Sequence, residues 1–205
     1  MKKTKEESKA TKEKIIEGAL YIFLEKGFSQ TSIEDIVKPL NLTRGAFYWH
    51  FKDKDDVFRS IIEKEHSQRI VSMKTILEEE SDERTRLEKI MNNILDHFYD
   101  IERFRSFIKL RWFRVEQDPY KFSVPVTELM NKTTQSIIMD SLNSAKEKNL
   151  LREDIGTEET TFHLITITNG VYRLYFTGIE FYQKKENVKT MIYNYINLIF
   201  KQMNQ

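Results

Sequence analysis

The sequence has no cysteine, only six glycines and three prolines, and no long uninterrupted run of apolar residues. A chain without cysteine forms no disulfide and offers no thiolate to a metal, and its four histidines are not spaced as ligand pairs. We therefore expect no metal or other cofactor. Scarce glycine and proline argue against a strand-rich fold with many turns, whereas abundant Lys, Glu, Leu and Ile favour helix. The composition predicts an all-α protein.

No segment has the pattern of a signal peptide or a membrane span. The first fourteen residues contain no apolar core of a signal peptide. The best candidate for a span, residues 162–182, contains His163, Asn169, Arg173 and Glu180, each of which is costly in hydrocarbon. This segment is better interpreted as a buried helix. We expect a cytoplasmic protein with no membrane partner.

The charges are distributed unevenly along a chain that is long enough for one large domain or two small ones. The net charge is only +1, but residues 1–54 hold 11 basic and 8 acidic side chains, whereas the remainder holds 22 and 24. A basic N-terminal segment can contact nucleic acid, but it is also common as a solvated tail. The charge therefore indicates a nucleic-acid partner only if a motif lies beside it.

Apolar residues recur at helical spacing and predict about nine helices. The first begins near residue 11. Thr31 and Glu34 have the spacing of a capping box at the start of a short second helix, which Pro39 ends. Asn41 can adopt the left-handed conformation of a turn, and Thr43 can cap a short third helix. The sequence thus predicts two short helices joined by a tight turn.

The helical pattern also predicts two domains. A long fourth helix follows the three-helix segment and ends in an acidic run at residues 78–82. Beyond it we expect an amphipathic helix over residues 87–101, a mostly buried helix over residues 102–116, and three helices that end near residues 149, 178 and 203. We predict domains of residues 1–54 and 55–205.

The two short helices have the arrangement of a helix-turn-helix, in which the second helix enters the major groove of DNA. Ile33, Ile36, Leu42, Phe47 and Phe51 supply the apolar contacts between them. The polar face of the second helix and the residues after it carry groups that suit bases or phosphates: Thr43, Arg44, Gly45, Tyr48, Trp49, His50, Lys52 and Lys54. The alternative is a capped surface turn with incidental aromatics, which would leave exposed aromatic rings unexplained.

Residues 31–36 (TSIEDI) and 43–54 (TRGAFYWHFKDK) resemble the DNA-binding domain of the TetR/AcrR family. The resemblance covers about residues 15–58, roughly a fifth of the chain. It implies that Arg44, Gly45 and Tyr48 face bases. The residues that it implies for phosphate contacts are Thr31, Ser32, Thr43, Trp49, His50 and Lys54. Pro39 and Asn41 depart from the alanine and glycine more usual in the family, so we expect a shortened or bent second helix.

The resemblance further implies a C-terminal domain that encloses a small effector. A cluster of aromatic residues suits a lipophilic or planar molecule, although each one alone is more readily interpreted as core: Phe98, Tyr99, Phe104, Phe107, Trp112 and Phe113. Arg111 lies beside an apolar stripe and needs either a route to solvent or an anionic partner, which would be Glu116 or an acidic group of the ligand. We expect a hydrophobic effector that is amphipathic or acidic.

Two C-terminal segments suit a dimer interface of four helices. Residues 161–181 contain Gly170 at their centre, where a missing side chain lets another helix cross closely, and the last helix has one apolar side. The β-branched residues could indicate a strand, but a lone strand in a helical chain is improbable. The candidate interface residues are Ile165, Gly170, Tyr172, Ile192, Tyr195, Ile196 and Ile199. A dimer would present two recognition helices to half-sites about 34 Å apart.

These patterns predict a homodimeric repressor that leaves a palindromic double-stranded operator when its effector binds. The resemblance implies that effector binding shifts the dimer towards a form whose recognition helices no longer match the groove spacing. An activator of the same fold is one alternative, and a helical lipid- or drug-binding protein without sequence-specific DNA binding is another. The sequence offers no paired acid and base, phosphate-binding loop or set of metal ligands, so we do not expect an enzyme.

Overall fold

The computed structural model describes residues 4–117 and 119–202, with the side chains of residue 68 and residues 113–131 left out of the description. Within these ranges the chain is helical without strands, which confirms the all-α prediction. One helix more than predicted, α9, is a single short turn. The helices are α1 (Lys5–Lys26), α2 (Ile33–Val37), α3 (Arg44–His50), α4 (Lys54–Glu79), α5 (Glu83–Asp100), α6 (Glu102–Gln117), α7 (Pro119–Glu147), α8 (Thr157–Tyr175), α9 (Glu180–Gln183) and α10 (Lys185–Ile199).

The chain divides into two compact units. Unit 1 comprises Met1–Ser67 and Ser106–Val126, and unit 2 comprises Gln68–Arg105 and Thr127–Gln205. Helices α4, α6 and α7 contribute residues to both units. A domain boundary at residue 54 stays a prediction. No helix among the described residues is long and apolar enough to cross a membrane.

Helix α1 begins earlier than the apolar pattern predicted. Thr4 and Glu7 form a capping box, because the Thr4 hydroxyl accepts the Glu7 N–H and the Glu7 carboxylate accepts the Thr4 N–H. The first turns of α1 are solvated, so they leave no apolar signal in the sequence. At the other end Gly27 has a φ of 81°, a conformation that favours glycine, and stops the helix.

The cap of α2 lies one residue later than predicted. Ser32, not Thr31, accepts the N–H of Asp35, and Asp35 in turn accepts the N–H of Ser32. Thr31 is buried, and its hydroxyl donates to the carbonyl oxygen of Gly27. Both pairs have capping-box spacing, so the sequence alone did not distinguish them.

The turn between α2 and α3 is built as the sequence predicted. Helix α2 ends at Val37, before Pro39, and Asn41 has a φ of 54°. Thr43 accepts the N–H of Ala46 at 3.1 Å and so caps α3. Beneath the turn, Phe47 is fully buried. The core of unit 1 therefore fixes which side of α3 faces outward.

Unit 2 is organised around α5, α8 and α10. The ring of Phe98 stacks on that of Tyr172 with centroids 4.3 Å apart, and the Tyr172 hydroxyl donates to the carbonyl oxygen of Ile94. The ammonium group of Lys185 on α10 forms ion pairs with Asp96 and Asp100 on α5. These contacts join α5 to both of the other helices.

The ends of α8 and α10 differ from the prediction in detail. Gly156, not Thr157, occupies the cap position of α8, and it makes no side-chain cap. The loop before α8 is joined to the end of α10 by backbone hydrogen bonds from Arg152 to Ile199 and from Lys201 to Leu150. This pairing holds the α7–α8 loop within unit 2.

Candidate nucleic-acid interface

The outward face of α3 consists of side chains that are exposed to solvent. Tyr48 is 51% exposed and Trp49 is 80% exposed, although aromatic rings are normally buried. Arg44 and Gly45 are exposed one helical turn before them. Arg44 makes no hydrogen bond or ion pair with the described residues. The structure thus brings four of the predicted DNA-binding residues onto one free surface.

Gly45 is not required by the fold of unit 1. A Cβ atom built at this position would lie 3.7 Å from its nearest neighbour, the Thr43 Oγ1 atom, and its φ is not positive. Alanine would fit there and would favour the helix by about 0.5–1 kcal/mol. The fold of unit 1 alone therefore does not explain the glycine at this position.

Ser32 and Thr43 lie exposed at the starts of the two short helices, each with its hydroxyl engaged as a cap. Beside Ser32, the carboxylate of Asp35 accepts from the Lys26 ammonium at 2.6 Å. This hydrogen bond, together with those from Ser32, holds the pKa of Asp35 far below its usual value and raises the pKa of Lys26. The Asp35 carboxylate thus stays ionised next to the candidate interface, and the Lys26 ammonium balances its charge.

Thr31 and Lys54 occupy different surroundings from the other predicted phosphate contacts. The Lys54 ammonium donates to the carbonyl oxygens of Phe28 and Thr31 and lies 4.9 Å from the centroid of the Phe28 ring. Thr31 is buried beneath it. In the structure these two side chains therefore hold the α1–α2 turn, and neither presents its polar group freely on the surface of α3.

His50, at the end of α3, lines a surface groove with the first turns of α1. The other lining residues are Thr4, Lys5, Glu6, Ser8, Lys9 and Lys12. The three lysines are exposed and spaced i, i+4 and i+7, so they share one side of α1. Sequence reasoning missed them because it read this segment as a tail. The Thr4–Glu7 capping-box spacing was the signal that could have placed them on a helix.

The six predicted ligand residues are all wholly or largely buried, and they are divided between the units. Phe98, Tyr99 and Phe104 belong to unit 2, whereas Phe107, Arg111 and Trp112 belong to unit 1. The Tyr99 hydroxyl donates to the carbonyl oxygen of Tyr182, and burial raises the Tyr99 pKa.

Arg111 is also buried, and its guanidinium carbon lies 5.7 Å from the centroid of the Trp112 ring. The side chains of Phe113 and Glu116, the second of which was one predicted partner of Arg111, lie outside the described residues. The predicted ligand residues therefore do not form one described site.

Unit 2 contains a separate small cavity of about 30 Å³. It is lined by Arg69, Ile94, Thr134, Ile138, Ile165, Thr168, Asn169 and Tyr172. None of the six predicted ligand residues is among these, whereas Ile165 and Tyr172 had been predicted for the dimer interface. No group of three or more histidine, aspartate or glutamate side chains in the described part of the chain is placed to hold a metal ion.

Four of the seven predicted interface residues lie inside the protomer. Tyr172, Ile192, Ile196 and Ile199 are buried by their own chain, which corrects their assignment to a surface. Apolar periodicity identifies the buried side of a helix, and it does not separate a core from an interface. The outward sides of the same helices expose Phe162 on α8 and Leu198 on α10, at 47% and 62%. Ile165, Gly170 and Tyr195 are partly exposed.

Sequence comparison connects the candidate interface to known regulators. Residues 15–61 match the family described as bacterial regulatory proteins, tetR family. The chain is 47% identical over 66 residues to the HTH-type transcriptional regulator AcrR of Shigella flexneri, and this match covers 32% of the chain and 31% of AcrR. The chain thus matches about a third of the length of its curated relatives.

Solved structures share the fold over nearly the whole chain. SmeT, the repressor of the Stenotrophomonas maltophilia multidrug efflux pump SmeDEF, has a TM-score of 0.79 at 21% identity, over 95% of this chain and 92% of SmeT. FadR of Bacillus subtilis, a transcriptional regulator solved in complex with stearoyl-CoA, has a TM-score of 0.74 at 15% identity, over 87% of this chain and 96% of FadR. At these identities the similarity establishes the fold.

Proposed function

Since this chain belongs to the TetR/AcrR family of bacterial transcriptional regulators, we propose that it is a homodimeric repressor that leaves a palindromic operator when a small hydrophobic or amphipathic effector binds. It acts in the cytoplasm, where its operator DNA lies, and it works by binding and not as an enzyme. The observation that carries the proposal is the exposed face of α3. Its arginine makes no hydrogen bond or ion pair with the described residues, and its aromatic rings are exposed to solvent.

In this proposal α3 enters the major groove and reads bases with Arg44, Gly45 and Tyr48. An arginine can donate two hydrogen bonds to guanine O6 and N7, and a glycine lets the helix backbone approach the DNA closely. Trp49, with its indole N–H, lies at the edge of this surface and contacts the sugar-phosphate backbone. The Thr43 and Ser32 hydroxyls flank the same groove.

A basic row on α1 extends the phosphate contacts. Lys5, Lys9 and Lys12 lie beside His50, so a DNA strand that crosses the end of α3 also meets these three ammonium groups. Such contacts add affinity without sequence preference and orient the domain on the duplex. Lys54 and Thr31 contribute indirectly, because they hold the turn that carries α2.

The dimer forms through the outward sides of α8 and α10. Phe162 and Leu198 are exposed apolar side chains there, and the His163 Nδ1 atom lies 3.0 Å from the Tyr195 hydroxyl oxygen, which links the two helices. A Cβ atom built on Gly170 meets nothing within 4 Å, so the protomer itself does not require a glycine there. Two such helix pairs would form a four-helix interface.

Operator binding is tested by fluorescence anisotropy on a duplex from the DNA upstream of the protein's own gene, with a scrambled duplex for comparison. We expect Arg44→Ala to lose about 10- to 100-fold in affinity for the specific duplex. Arg59→Ala is the matched control, because Arg59 is an exposed arginine of unit 1 on α4. Equal affinity of the wild type for both duplexes, across operator candidates, would favour the helical lipid- or drug-binding alternative.

A further inference from the structure

We propose that the cavity in unit 2 is an anion site, in which Arg69 binds the carboxylate of an amphipathic organic acid that acts as the effector. The proposal rests on the proposed function for the consequence of binding, but the site is argued from its own geometry. Arg69 lies on α4 and is only 5% exposed. Its side chain lines the cavity together with residues of α5, α7 and α8.

The guanidinium of Arg69 lacks the partner that a buried cation requires. One of its nitrogens donates to the Thr134 hydroxyl at 3.0 Å, and its central carbon lies 5.8 Å from the centroid of the Phe104 ring. Its Nε atom has no hydrogen bond. Among the described residues no carboxylate pairs with it. A hydroxyl and an aromatic face compensate little of the cost of removing a full charge from water.

Several other cations of unit 2 have carboxylate partners. Arg86 and Lys148 both contact the buried carboxylate of Glu83, and Lys185 is held between Asp96 and Asp100. At these positions unit 2 supplies its own carboxylates. The absence of a carboxylate beside Arg69 leaves a position that an external anion can fill.

The lining of the cavity suits one acidic group joined to an apolar body, although its volume admits only a small group in the conformation described. Its volume of about 30 Å³ exceeds the ~10–15 Å³ that one water molecule needs. Asn169 makes no hydrogen bond with the described residues, so its amide can donate to the same anion as Arg69. Ile94, Ile138 and Ile165 form apolar walls. A carboxylate on a hydrocarbon chain matches this combination better than an inorganic anion or an amine.

Binding at this cavity would act on a helix that belongs to both units. Arg69 follows residues 54–67 of α4, which are part of unit 1. A drug-sized ligand occupies about 300–1,000 Å³, so an effector whose acid group binds Arg69 must also widen the space around it. The ligand would therefore bind more tightly to a conformation of α4 that differs from the one described. Induction requires such a difference in affinity between two conformations.

Binding of three ten-carbon probes tests the site without DNA: decanoate, decanol and decylamine, each by isothermal titration calorimetry. We expect the wild type to bind decanoate at least about tenfold more tightly than the other two, and Arg69→Gln to lose this preference. Arg84→Gln is the matched control, because Arg84 is a half-exposed arginine of unit 2 paired with Glu88. Equal decanoate affinity in Arg69→Gln, or equal affinity of the wild type for all three probes, would overturn the proposal.

Two further measurements separate this site from the proposed function. Asn169→Leu removes a second donor without touching Arg69, and it should also weaken decanoate binding even if Arg69→Gln folds poorly. Operator anisotropy is then repeated with decanoate present, and we expect release of the duplex from the wild type only. Decanoate binding that requires Arg69 but leaves operator affinity unchanged would reject its role as effector site. Failure of the wild type to bind any operator would instead contradict the proposed function.

Discussion

Arg44 and Arg69 are both guanidinium groups without a carboxylate partner among the described residues, but their surroundings are opposite. Arg44 is exposed on the outward face of α3, whereas Arg69 is buried against Thr134 and Phe104 in unit 2. An exposed arginine costs nothing to keep hydrated and suits a polyanion that displaces its counterions. A buried arginine has lost its water and suits a single anion that enters the same cavity. The two proposals thus assign the same type of side chain to two kinds of recognition.

Salt should separate the two sites most strongly. Between 50 and 200 mM salt, operator affinity should fall by about 10³-fold if six or more phosphates are contacted. Decanoate affinity should change by less than about threefold over the same range, because a buried pair is screened much less. Anisotropy and calorimetry on the same protein measure both slopes. Equal slopes would mean that the carboxylate binds on the surface.

Stability should distinguish a buried charge that serves the fold from one that serves a ligand. Glu83 is 1% exposed and bonds to Arg86, Lys148 and Ser144, so Glu83→Gln should lower the free energy of unfolding by about 3 kcal/mol. Arg69→Met should change it by less than about 1 kcal/mol, because no buried carboxylate is left uncompensated and only one hydrogen bond, to Thr134, is lost. Urea denaturation measures both. A loss with Arg69→Met as large as that with Glu83→Gln would make Arg69 a structural residue.

The smallest expected effect concerns the backbone beside Arg44. Gly45→Ala should raise the free energy of unfolding by about 0.5–1 kcal/mol, because alanine favours the helix and the added methyl group has space. The same substitution should lower operator affinity by about tenfold, because the methyl group would prevent close approach to the bases. Thermal denaturation measures the change in stability, and anisotropy measures the change in operator affinity. Unchanged operator affinity would show that α3 does not approach DNA at Gly45.

The sequence was most informative where a local rule decides the structure. The cap at Thr43, the left-handed Asn41 and the inward Phe47 follow from residue type and spacing, and together they determine which side of α3 is exposed. The cap of α2 was displaced by one residue because two overlapping pairs satisfied the same rule. Local rules therefore predicted which side of α3 is exposed, and the DNA contacts of that side stay a prediction.

The sequence predicted the helices of unit 2 but not which of their sides are exposed. The apolar side of α10 was recognised, yet a single sequence does not reveal whether that side meets its own protomer or another one, and Ile192 and Ile196 proved to be core. Arg69 was missed because charged residues are expected outside. Its position in the helical row of Ile62, His66 and Met73, at spacings of four, seven and eleven residues, was the available sign of a buried cation.

The most direct test measures operator affinity for Arg44→Ala and Arg69→Gln, each with and without decanoate. We predict that Arg44→Ala binds the operator weakly under both conditions, whereas Arg69→Gln binds it as tightly as the wild type and is not released by decanoate. Wild-type operator affinity in Arg44→Ala would contradict recognition by α3. Release of Arg69→Gln at the decanoate concentration that releases the wild type would contradict the assignment of the effector site to Arg69.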